Sequence, residues 1–78
     1  MGQFDVYMWL KCQFESGNVK WFTTQEIIQG LKQNGATNGM LKGVRIDCIK
    51  LYVSKDIKML DLDKSGLNNY NRVFKYDK

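Results

Sequence analysis

Between Gln3 and about Glu15 the chain has no Gly or Pro, and Val6, Tyr7, Leu10 and Phe14 recur at helical spacing. That spacing predicts a first helix with one inward face. Phe4, Met8 and Cys12 form a second stripe at successive fourth positions, and Trp9 lies beside neither stripe, so the helix is apolar over most of its circumference. Two readings stay open. The helix is a core element with a few exposed apolar groups, or it is covered on a second side by another copy of the chain, through Phe4, Met8 and Trp9.

Ser16, Gly17 and Asn18 break this helix, and Val19 to Phe22 is a short β-prone run that needs a partner strand from elsewhere in the chain. Thr23 followed three residues later by Glu26 reads as a capping box, in which each side chain satisfies a backbone donor in the first turn of a second helix. Ile27, Ile28 and Leu31 give that helix its inward face, and Asn34 and Gly35 stop it.

The link onward is only Asn34 to Ala36, after which Thr37 is placed to cap a third helix running to about Tyr52. Two helices joined this tightly make a helix-turn-helix. Leu41, Val44, Cys48 and Leu51 share one face of the third helix, while Asn38, Lys42, Arg45 and Ile49 share a face pointing roughly the other way. Gly39 and Gly43 each oppose this assignment by about 1 kcal/mol relative to Ala.

After a polar break at Ser54 to Asp56, Ile57 to Leu62 and Tyr70 to Tyr76 read as two strands of a hairpin. Asp63 to Asn69 form a polar loop between them, longer than a tight turn. The expected fold class is α+β: three helices with a small antiparallel sheet in which Trp21 and Phe22 pair beside the terminal hairpin. The expected interior comprises Tyr7, Leu10, Phe14, Trp21, Ile27, Ile28, Leu31, Leu41, Val44, Cys48, Leu51, Ile57, Met59, Val73 and Phe74.

Composition narrows the function classes. Seventy-eight residues suffice for a single domain, spanning 1–78, with one core, and are too few for a deep enclosed catalytic site. Twelve Lys and Arg against eight Asp and Glu leave a net charge of +4, which fits an anionic partner and also many ordinary soluble proteins. No apolar run approaches the roughly 18 residues needed to span a bilayer, and no secretory leader pattern opens the chain, so a soluble cytoplasmic protein is expected. Cys12 and Cys48 have no CxxC neighbour and sit among apolar residues, as buried free thiols do.

The order helix, short strand, helix, turn, helix, hairpin with a polar tip, from about Phe4 to Tyr76, resembles the winged-helix family. The residues that carry the resemblance are Lys20 to Ile27 leading into the second helix, Thr37 to Arg45, and the closing hairpin. It is a likeness of layout more than of a fixed motif. The resemblance implies a third helix lying in the DNA major groove and a hairpin wing touching the backbone or minor groove.

The major groove is about as wide as an α-helix with its side chains. Asn38 can pair with adenine or phosphate, Arg45 can fork onto guanine O6 and N7, and Lys42 suits a phosphate. Thr37 and the neighbouring amides stand at the positive end of a helix dipole, where phosphate is favoured. Lys64, Ser65, Asn68, Asn69 and Arg72 supply cations and neutral donors to the wing. An ordinary solvated helix surface also carries Lys and Arg, so it is their combination with a tight helix-turn-helix and a polar wing that points to double-stranded DNA. The corresponding function is transcription regulation, by a homodimer that sets two third helices in successive major grooves. Ile46 and Ile49 depart from a polar DNA face: Ile49 can reach thymine methyls, contact a protein or pack under the wing. Asp47 would repel phosphate if it faced the groove. The competing expectation is a winged-helix protein-interaction module within a larger complex, using the apolar parts of the first helix and Ile46 or Ile49.

Asp61, Asp63, Ser65 and Gly66 mimic the first half of a calcium loop, but Arg72 stands where the bidentate Glu is required, and strands flank it where helices are needed. With no His in the chain, the usual general base and the commonest metal ligand are both missing. The acidic residues show no pairing in sequence, and the glycines match no nucleotide-binding spacing. The expectation is therefore no enzyme, no cofactor, no metal and no small-molecule substrate.

Overall fold

The computed structural model describes residues 3–61 and 72–77. In chain order its elements are α1 (Gln3–Glu15), β1 (Phe22–Thr23), α2 (Thr24–Gln33), α3 (Asn38–Leu41), α4 (Val44–Val53), β2 (Ile57–Asp61) and β3 (Arg72–Tyr76). The fold is α+β and winged-helix-like: three helices, the third in two pieces, and a three-stranded antiparallel sheet of order β1-β3-β2.

The helix ends follow from local chemistry. At the start of α2 the Thr23 hydroxyl accepts from the Glu26 amide at 3.1 Å, and the Glu26 carboxylate accepts from the Thr23 amide at 3.0 Å. Lys20 donates to the same carboxylate. These contacts hold Glu26 below its ordinary pKa, the lysine contributing most and the Thr23 amide next. The three long helices end alike. Amides one and two residues past the cap turn back onto the last turn: Gly17 to Phe14 and Asn18 to Gln13, Gly35 to Lys32 and Ala36 to Leu31, Lys55 to Tyr52 and Asp56 to Leu51. This closure requires a left-handed residue. Gly17 and Gly35 supply it at φ 93° and 101°, and Lys55 supplies it at 66° despite its Cβ.

The third helix is not continuous. Lys42 keeps helical torsions, but Gly43 at φ −95° and ψ 6° does not, and α4 restarts with the Asp47 amide donating to the Gly43 carbonyl. Two glycines within five residues leave too little helix propensity to hold this stretch in one piece. Asn38 and Lys42 therefore do not share a helical face with Arg45 and Ile49.

In the sheet, Phe22 and Met59 flank Phe74, while Thr23 and Leu60 flank Val73. Successive residues of a strand face opposite ways, so the burial of both Val73 and Phe74 means that the central strand is covered on both faces. The core gathers Val6 and Leu10 of α1, Ile27 and Leu31 of α2, Leu41 of α3, Val44, Cys48 and Leu51 of α4, and Phe22, Ile57 and Phe74 of the sheet. Phe14 and Tyr7 flank the Tyr76 ring at 5.5 and 5.6 Å. Trp21, expected inside, precedes β1 and is only half-buried, with the Lys75 ammonium 5.9 Å from its ring. Phe22 takes the interior position in its place. Both cysteines are free: Cys12 is exposed, and the Cys48 thiol is pushed up to about 12, first by burial and then by the Asp47 charge. Among the described residues no helix is long and apolar enough to cross a membrane.

Candidate nucleic-acid interface

Burying Val44, Cys48 and Leu51 fixes the rotation of α4 about its axis and turns Ile46, Lys50 and Val53 outward, with Arg45 and Ile49 half-buried at the margin. The hairpin approaches the same side. Between α4, the start of α2 and β3 lies a concavity of about 250 Å³, lined by Thr24, Arg45, Ile46, Ile49, Lys50, Arg72 and Phe74. Its floor is apolar, since Phe74 is fully buried and Ile49 packs against the core.

Three of the lining side chains are cations. Arg45 and Lys50 come from α4, and Arg72 is the first residue of β3, at the end of the strand pair nearest the hairpin's connecting segment. The Nε atoms of both arginines are buried, and each arginine makes an interaction inside the chain. Asp61 is the cross-strand partner of Arg72. The Asp47 carboxylate turns back toward Gly43 at the start of α4, where a negative charge suits the helix dipole, and Asp47 does not line the concavity.

The candidate DNA contacts divide into three groups. Arg45 and Arg72 come together at one wall, although 27 positions separate them in sequence (72 minus 45). Thr37, the N-cap of α3, Asn38 at its start and Lys42 just after it are all exposed. The Thr37 hydroxyl accepts from the Met40 amide at 3.4 Å, as a cap should, but a four-residue helix has too few aligned peptides to present the dipole expected there. Lys64, Ser65, Asn68 and Asn69 lie outside the described residues, as do Asp63 and Gly66 of the calcium-like run. Among the described residues no group of three or more metal-ligating side chains comes together.

Lys50 is the member that periodicity missed. It follows Ile49 and lies four positions beyond Ile46, a spacing that puts it on the outward side once the rotation of α4 is known. The three α1 residues proposed for a dimer contact also separate. Phe4 is 70% exposed, whereas Met8 is half-buried along a groove of about 360 Å³ shared with Cys12, Ala36 and Met40. Trp9 is committed largely to its own chain: its ring meets Phe22 edge-on at 5.0 Å and lies over Gly30.

No family model matches the chain, and neither a curated protein nor a solved structure matches it.

Proposed function

We propose that the chain is a winged-helix regulator of transcription that binds double-stranded DNA through α4 and the hairpin, acting in the cytoplasm as a homodimer. The observation that carries this reading is the convergence of Arg45, Lys50 and Arg72 on one face, from the second helix of a helix-turn-helix and the start of the hairpin's second strand. Asn38 and Lys42 are exposed as well, on α3 and on the turn between α3 and α4. A helix and an adjoining hairpin carrying cations match a groove bordered by phosphates, and the overall charge of +4 acts in the same direction.

Salt tests it. Neutralising several phosphates releases counterions, so affinity for duplex DNA should fall steeply between roughly 50 and 200 mM salt. An absence of binding at the lower concentration would refute the reading. A second reading, as a protein-interaction module in a larger complex, is favoured by the exposed apolar groups Phe4, Ile46 and Val53. It predicts no salt-dependent retention of duplex DNA.

A further inference from the structure

The outward side of α4 is unusual for a DNA-reading helix. The sequence Val44 to Val53 contains no Ser, Thr, Asn or Gln, so its hydrogen-bonding side chains are Arg45, Asp47, Lys50 and the Tyr52 hydroxyl. Tyr52 lies in the last turn, and Asp47 turns back toward Gly43. What the first turn offers a base edge is therefore Arg45 and, beside it, Ile46, which is 60% exposed. Ile49 does not compete for that role, because it is half-buried and packs on the core. Val53 is 70% exposed but lies seven residues beyond Ile46, about 10 Å along the axis of α4.

We infer that Ile46 is a specificity-determining residue that packs against the 5-methyl group of thymine when α4 occupies the major groove. The inference rests on the DNA-binding reading above. Thymine is the one standard base that presents a methyl group on the major-groove edge, and apolar side chains are the groups that read it. An exposed isoleucine contributes little to the core of this chain. Arg45 and Lys50 line the same concavity as Ile46, so positive charge stands beside it on the side that would meet DNA. Burying the side chain against thymine removes two apolar surfaces from water together. Preference for thymine thus arises without a hydrogen bond, while Arg45 supplies the polar contact beside it.

The experiment enriches bound sequences from a random duplex pool with the full chain, then resynthesises the preferred duplex with deoxyuridine in place of thymidine. Only the methyl groups differ. Wild-type affinity is expected to fall about fourfold for each methyl contacted, the ordinary worth of one buried carbon. Ile46→Ala should bind the thymine duplex more weakly by a similar factor and should not distinguish thymine from uracil. Because Ile46 is exposed, a thermal melt matching wild type checks that the variant is folded. Equal wild-type affinity for the two duplexes, an undiminished thymine preference in Ile46→Ala, or a pool that yields no preferred sequence would each overturn the inference. Failure of the DNA-binding reading looks different: the pool is not retained at all, at low salt or high. Retention by a protein partner through Ile46, with no duplex retained, would assign the residue to the interaction module instead.

Discussion

The indole of Trp9 fills the space that a side chain on Gly30 would need: a Cβ placed there would come closer than 3.0 Å to three of its ring atoms. This contact lets α1 lie close on α2 and turns Trp9 inward against Phe22. Gly30→Ala would gain about 1 kcal/mol of helix propensity but forces the ring off Phe22, an overpacking cost of about 1 to 3 kcal/mol. We expect net destabilisation in urea unfolding, and partial rescue by the double variant Gly30→Ala with Trp9→Leu. A Gly30→Ala protein more stable than wild type would show that the ring does not depend on that gap.

Lys55 performs at the end of α4 the task that glycine performs at the ends of α1 and α2. An L-residue in the left-handed region is disfavoured by about 1 kcal/mol or more. Lys55→Gly should therefore stabilise the protein by roughly 0.5 to 1 kcal/mol, raising Tm by a few degrees, whereas Lys55→Ala should give no gain. Equal melting of the two variants would remove the strain argument.

Glu26 makes the cap of α2 sensitive to acid. Its folded pKa lies below the ordinary 4.5, so its stabilisation is fully present above 4.5 and is lost as pH falls through the lowered value. The pair with Lys20 is exposed, which limits this contribution to below about 1 kcal/mol. The stability difference between wild type and Glu26→Gln should shrink on acidification from pH 6 to pH 3. Thr23→Ala should destabilise by about 1 kcal/mol at neutral pH. A wild-type advantage over Glu26→Gln that does not change with pH would contradict the assignment.

Arg45 and Lys42 should differ in kind. Arg45 stands in the first turn of α4, against the concavity, and its replacement by Ala should weaken the preferred duplex by about 1 to 3 kcal/mol and relax base preference. Lys42 is exposed on the turn before α4, and Lys42→Ala should weaken all duplexes alike while lowering the salt slope by about one. Identical effects of the two changes would mean that Arg45 meets only phosphate.

Much of the fold is legible in the sequence because local signals agree with one another. Thr23 and Glu26 announce α2, and Leu41, Val44, Cys48 and Leu51 mark the buried side of α3 and α4 despite the interruption. Gly39 and Gly43 weaken the third helix, but summed propensity does not say where a helix yields. Trp21 and Phe22 show a second limit. Neighbouring strand residues face opposite ways, and only the register with Val73 and Phe74 decides that Phe22 goes in. The candidate site was less legible. Arg45 and Arg72 each stand out in the sequence as cations, but their meeting depends on how the hairpin folds back beside α4, and Lys50 joins them through the rotation that the core imposes.

The most direct test of the central claim is an amide-shift titration of the full chain with duplex DNA at low and high salt. Shifts at low salt should concentrate on Asn38 to Lys50 and on Arg72 at the start of β3, spare the groove along α1, and fade at high salt. Shifts confined to the Phe4 and Met8 side, or no shifts at low salt, would contradict it.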